Sequence, residues 1–186
     1  RSKRHSNQLY NQQNSIAMQV KYTLGPSTIT EAGRGIFAAE FIPKGTLVWK
    51  WRQIDHVIFS DAEQMNDFLT NKPDEEIRSI LEHTYGFHGF VMYELDAHKY
   101  TNHHATEYNV GHNHDLPHDE KLWKVFALKD IQEGDEFFEN YARELEKSGP
   151  SWWQKLVDKY RVPFFDGDLP VEFRADASPA TVKSVS

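Results

Sequence analysis

Three observations predict a mainly β fold of short curved strands, interrupted by one helical segment and followed by a C-terminal helix. Apolar and polar residues alternate over short runs, as at Val20, Tyr22 and Leu24. These runs end in glycine or proline turns, at Gly25-Pro26, Gly33-Arg34-Gly35, Pro43-Lys44-Gly45 and Gly134. Helical spacing of apolar residues is confined to two stretches, at about 60–84 and 151–161.

Residues 1–16 are basic and then Gln/Asn-rich, which predicts a flexible N-terminal segment and not a signal peptide, since that needs an apolar stretch. One folded domain is expected over 17–162. After the first strand, a second is expected around Ser27–Thr30, then apolar Ile36–Ala39, then a strand over Thr46–Trp51. Ser60 with Glu63 reads as a capping box for a helix carrying Ala62, Met65, Phe68 and Leu69. A second helix is expected from Pro73, with Asp74, Glu75 and Glu76 in its first turn, where acids suit the helix dipole. Phe90–Leu95 reads as a strand, and His98–Glu120 as loop. Strands are expected at Leu122–Leu128 and from Phe137-Phe138, around the turn Asp130–Asp135. Ser151 with Gln154 is a second capping box, and Trp152, Leu156 and Tyr160 form one stripe of an amphipathic helix. Residues 163–186 are Pro/Asp-rich at first and are expected to be a tail.

Composition narrows the function classes. The chain has no cysteine, which excludes disulfides, thiolate metal sites and a cysteine nucleophile. Its 21 Lys and Arg against 28 Asp and Glu give a formal charge of −7. That charge argues against direct nucleic-acid binding and suits a basic protein or peptide partner. No apolar run approaches the ~20 residues of a membrane span; a soluble intracellular protein is the expectation, with the compartment left open.

Three segments carry chemistry. The first is Gly33-Arg34-Gly35-Ile36-Phe37-Ala38; glycines there let the backbone approach a ligand and adopt positive φ. The second is Tyr100-Thr101-Asn102-His103-His104-Ala105, with Tyr108-Asn109-Val110 after it. The third is Val125–Ile131, then Glu133-Gly134-Asp135-Glu136-Phe137, ending at Asn140-Tyr141. In this order they resemble the SET-domain protein lysine methyltransferases: the G-x-G turn, the R-F-I-N-H-S-C-x-P-N stretch, and A-x-[RK]-D-I-x-x-G-E-E-L-x-x-D-Y.

The resemblance implies a SET-domain (β-clip-like) fold with a pseudo-knot through residues 98–110. It also implies methyl transfer from S-adenosylmethionine, leaving S-adenosylhomocysteine, to lysine in a protein or peptide, a histone tail being one such substrate. If the substrate is a histone, the nucleus is a plausible compartment; no metal is needed. The implied cofactor-binding residues are Gly33, Arg34, Gly35, Asn102, His103 and Tyr141, with Tyr141 the catalytic tyrosine. Trp51, Tyr93 and Glu139 are the implied substrate-channel residues; for Tyr93, core packing is the favoured alternative. The sequence departs from the family where His104 and Ala105 replace serine and cysteine, and where Glu139 stands at a position commonly aromatic. These departures support a rival from another class, a catalytically inactive SET-like peptide-binding module. His98, His103, His104, His112, His114 and His118, with Asp96 and Asp115, could also be read as a metal site, but their spacing is irregular and favours a solvated loop.

Overall fold

The computed structural model describes residues 17–30, 32–117, 123–144 and 149–162. Strand β1 (Tyr22–Pro26) pairs antiparallel with β2 (Arg34–Ala38) across the first glycine turn. Strand β3 (Leu47–Lys50) leads through a single 3-10 turn to β4 (His56–Phe59). Helices α1 (Ala62–Leu69) and α2 (Asp74–Glu82) follow, then the hairpin β5 (Thr84–Phe87) and β6 (Phe90–Glu94). A second 3-10 turn, Ala97–Tyr100, precedes β7 (Asn102–His103) and β8 (Val110–Gly111). The order ends with β9 (Lys124–Ala127), β10 (Phe138–Glu139), α3 (Tyr141–Glu144) and α4 (Ser151–Lys159).

Among the described residues these strands form four small sheets: β1-β2, β3-β9-β8, β4-β6-β5 and the parallel pair β10-β7. Bridges Phe37↔Glu136 and Ile42↔Ile131 tie the early strands to the late ones. The segment around Asn109 is held from both sides, as a threaded centre requires. Asn109 donates through its N–H to the Phe138 carbonyl and through Nδ2 to the Glu136 carbonyl, while its own carbonyl accepts from Leu128 N.

Apolar residues collect in two clusters. Ile36, Ile42, Val48, Val125, Ile131 and Phe137 fill the first, between the early and late strands. Phe59, Met65, Ile77, Leu81, Val91 and Val157 fill the second, so α4 packs on the helical insert. Trp153 anchors it there, its Nε1 donating to Thr84 Oγ1 at 3.0 Å.

Local details differ from the sequence expectations. The N-cap of α1 is Asp61, not Ser60: its carboxylate accepts from Gln64 N, while Gln64 Oε1 accepts from Ser60 N, so the two bonds of a box are shared between Asp61 and Ser60. Helix α4 has Pro150 as N-cap and no side-chain cap; Gln154 Nε2 donates to the Gly149 carbonyl. Ser27–Thr30 forms no strand, because Ser27 and Thr28 turn toward Glu136. The stretch from His98 includes a 3-10 turn and two short strands as well as loop. The expected N-terminal segment 1–16, the tail 163–186 and His118 lie outside the described residues. No described helix is long and apolar enough to cross a membrane.

Candidate active site

The β10-β7 pair brings the second and third motifs together, with Phe138 opposite Asn102 and Glu139 opposite His103. Tyr141 follows at the start of α3. Its N–H donates to His103 Nδ1 at 3.1 Å, and the two rings lie 5.3 Å apart. The Tyr141 hydroxyl donates to the Thr101 carbonyl. Burial first, then the nearby carboxylates of Glu139 and Glu94, push this phenol well above its ordinary range, so it remains a donor at all working pH. Burial holds the His103 imidazole below its ordinary value, toward the neutral form that can accept from Tyr141 N.

On one side of this pair stands the glycine turn, organised by Glu136. Its carboxylate accepts from Ser27 Oγ at 2.8 Å, Thr28 N at 2.7 Å, Thr28 Oγ1 at 2.6 Å and Asn102 Nδ2 at 3.0 Å. Burial opposes the charge, but these donors outweigh it and hold the carboxyl below its ordinary value. A Cβ on Gly35 would stand 2.1 Å from Glu136 Oε1, so the backbone must be glycine to admit the carboxylate. Asn102 Nδ2 also donates to the Arg34 carbonyl at 2.9 Å, which ties the turn to the β10-β7 pair. The Arg34 guanidinium sits 5.9 Å over the Tyr100 ring.

On the other side lies a cavity of about 130 Å³. Trp51, Tyr85, Phe87 and Trp123 supply aromatic walls, and Thr101, Glu139 and Tyr141 line it as well. Trp51 stacks on His56 with centroids 5.2 Å apart and meets Trp123 at 4.7 Å. Tyr93 does not line this cavity. Alternation along β6 turns Met92 and Glu94 toward it, while Tyr93 packs with Phe68 in the second cluster.

Glu94 and His98 belong to the cavity although neither was a candidate channel residue from the sequence. His98 Nδ1 is 3.0 Å from Glu94 Oε1, and its Nε2 is 3.4 Å from Glu139 Oε1. Its ring stacks on Trp49 at 4.3 Å, and Asp96 receives both His98 N and Trp49 Nε1. Burial works against charging His98, but the Glu94 and Glu139 carboxylates outweigh it and hold the imidazole protonated. Burial also dominates at Glu94, against its histidine partner, and pushes that carboxyl up to about 7.

The remaining described histidines serve separate tasks. His104 Nδ1 accepts from the Thr106 and Glu107 N–H groups, and His112 pairs with Glu144 at 2.7 Å. Among the described residues, no three His, Asp or Glu side chains are grouped to hold a metal ion.

A threaded segment, a glycine turn and a buried terminal tyrosine define a SET-type centre. The family model for the SET domain matches residues 33–142, well over half of the chain, and the chain belongs to that family. No curated protein sequence matches it significantly. Solved structures similar to it include Chaetomium thermophilum Polycomb Repressive Complex 2 bound to S-adenosylmethionine, at 24% identity over 78% of this chain and 17% of that one, TM-score 0.49. The same complex bound to GSK126 matches at 24% identity over 75% of this chain and 17% of that one, TM-score 0.47. A candidate histone methyltransferase from Plasmodium falciparum matches at 21% identity over 73% of this chain and 99% of that one, TM-score 0.43. The chain thus spans about a sixth of the Polycomb chains it matches.

Proposed function

We infer that this chain is an S-adenosylmethionine-dependent methyltransferase acting on lysine side chains of a protein substrate. The observation that carries the reading is the position of Tyr141, whose protonated hydroxyl lines the cavity and is aligned by the Thr101 carbonyl. When bound, S-adenosylmethionine supplies a methyl group carried on a cationic sulfonium. The fit of such a group rests on Gly33. Its φ of 74° is left-handed, and no heavy atom lies within 4 Å of the place a Cβ would take, so this side of the turn borders open space.

In this reading Gly33, Arg34 and Gly35 face the cofactor through their backbone. Asn102 and His103 act largely as positioning residues: the Asn102 amide secures the Arg34 carbonyl, and His103 secures Tyr141. With its proton committed to the Thr101 carbonyl, the Tyr141 hydroxyl presents preorganised oxygen lone pairs toward the positively charged methyl group of the transfer step. Trp51, Tyr85, Phe87 and Trp123 exclude water from the channel, which holds the target chain in line and raises the value of every polar contact inside it. Glu139 contributes a carboxylate wall where an aromatic is common.

Calorimetric titration of S-adenosylmethionine in the presence of chelator is expected to show binding. Mass spectrometry of a core-histone mixture incubated with protein and labelled cofactor is expected to show methylated lysine. A folded protein that binds no cofactor would falsify the reading. A peptide-binding module without catalysis is the second reading, favoured by the Glu139 carboxylate in the channel; it predicts binding of lysine-rich peptides with no cofactor affinity.

A further inference from the structure

Two groups at the cavity, Glu94 and His98, have no task in that reading, and both converge with the channel residue Glu139. Glu94 from β6, His98 from the 3-10 turn and Glu139 from β10 converge there, although no two of these elements are neighbours in one sheet. The Glu94 and Glu139 side chains are each 8% exposed. His98 lies between them, 3.0 Å from one and 3.4 Å from the other. An imidazolium between two carboxylates sums to one net negative charge, held in largely aromatic surroundings. Each carboxylate turns Oε1 to the histidine, and among the described residues no hydrogen bond engages either second oxygen. Independently, Thr101 is 3% exposed and lines the same cavity, and its Oγ1 has no hydrogen-bond partner there.

The Glu94–His98–Glu139 group therefore leaves one negative charge and several acceptor oxygens unmatched, with Trp51 Nε1 as an unpaired donor on a lining residue. An alkylammonium matches the charge and the acceptors, with three N–H donors on one charged atom, and its methylene stem suits the walls of Trp51, Tyr85 and Trp123. We propose that Glu94, His98 and Glu139 form an ammonium anchor that recognises the target side chain by its charge. The proposal rests on the methyltransferase reading for the identity of that side chain as lysine.

The anchor strengthens with pH through the neutral range. With Glu94 protonated the three groups sum to zero, and with it ionised they sum to −1, so its carboxyl at about 7 sets the midpoint. Asp96 adds to the negative field beside His98. Lys99 and His83 line the cavity from the cationic side, burial holding His83 toward neutral. Glu82 and the His112–Glu144 pair line it as well; burial opposes the Glu144 charge, but His112 outweighs it and holds that carboxyl below its ordinary value. Burial likewise lowers His56, behind Trp51, and Tyr85 and Tyr141 stay protonated throughout.

The test uses the whole chain without cofactor, n-butylammonium as probe and n-butanol as its neutral isostere, with affinity read from shifts of the tryptophan indole and histidine signals. Butylammonium affinity is expected to rise about ten-fold from roughly pH 6 to 8, below the amine's own titration, while butanol affinity stays flat. Glu139→Gln is expected to weaken butylammonium about ten-fold and to spare butanol. Glu94→Gln is expected to weaken it similarly and to abolish the pH slope. Equal affinity for the two probes, absence of binding by butylammonium, or folded variants of both kinds that bind it like the parent would each overturn the anchor. A parent that shows the charge preference yet binds cofactor and methylates no lysine overturns the methyltransferase reading and leaves the anchor standing. A parent that methylates lysine without the charge preference overturns the anchor alone.

Discussion

Glu136 and Glu94 are almost equally screened from solvent, 5% and 6% exposed, but Glu94 is packed more densely, and their acidities move in opposite directions. Glu136 receives four hydrogen bonds from Ser27, Thr28 and Asn102 and stays charged. Glu94 has one histidine partner, and burial dominates. Low exposure alone does not set the charge of a carboxylate; the density of packing around it and the supply of donors decide together. The comparison also separates two kinds of polar interior. Around Glu136 the donors and acceptors satisfy one another, which fixes a backbone shape. Around Glu94 hydrogen-bonding capacity is left over, which is the property of a surface that receives something.

The largest effect is expected at the satisfied end. Glu136→Ala leaves the Thr28 N–H without its acceptor, removes one of the Asn102 amide's acceptors, and should lower unfolding free energy by about 3 kcal/mol near neutral pH, measured by urea titration. Its folded value is depressed, so its contribution is present above the ordinary carboxylate value and is lost as pH falls through the lower folded value. The variant should therefore lose part of the parent's sensitivity to acid.

Glu94 has the reverse sign. Its folded value is raised from 4.5 to about 7, so the structure is favoured while the group is protonated and loses that advantage as pH rises through this window. Unfolding measured across that range should show Glu94→Gln lacking a decline of about 2 kcal/mol present in the parent. Parallel curves for parent and variant would erase the contrast between the two carboxylates.

Smaller effects test the boundary between the two regions. Tyr141→Phe should reduce methyl transfer by about ten-fold, roughly 1.4 kcal/mol, with cofactor affinity nearly intact, because only the preorganised hydroxyl is removed. Parallel loss of affinity and turnover would make the tyrosine a structural member of the Glu136 side. Tyr93→Phe should change transfer by less than two-fold and stability by about 0.5 kcal/mol or less, since the ring keeps its packing against Phe68 outside the cavity. A large loss of transfer would return Tyr93 to the channel.

The sequence was informative wherever function is written in backbone motifs. The glycine turn, the Asn102-His103 pair and Tyr141 are legible as motif residues, and the structure brings the last two motifs into one parallel strand pair. Helical periodicity located α1, α2 and α4, because each has an apolar stripe facing the second cluster. Strand β5 escaped because it is four residues long and begins one residue after α2 is capped. The tasks of Glu136, Glu94, His98 and Thr101 were not legible, since each depends on partners chosen by the fold. Ser27 and Glu136, for instance, stand 109 residues apart. Tyr93 shows the limit of alternation, which states that neighbours face opposite ways but not which of them faces the ligand.

That separation of 109 residues bears on how the protein is made. A chain leaving the ribosome presents Ser27, Thr28 and the glycine turn long before the carboxylate that gathers them exists. Until Glu136 emerges, the N-terminal strands lack their bridge from Phe37 and the turn has no centre to close on. Loop closure over such a span is slow relative to local helix formation. The helical insert, whose contacts are close in sequence, can form first. The centre around Glu136 and Tyr141 then assembles last, in the same closing event that threads the Asn109 segment between its neighbours.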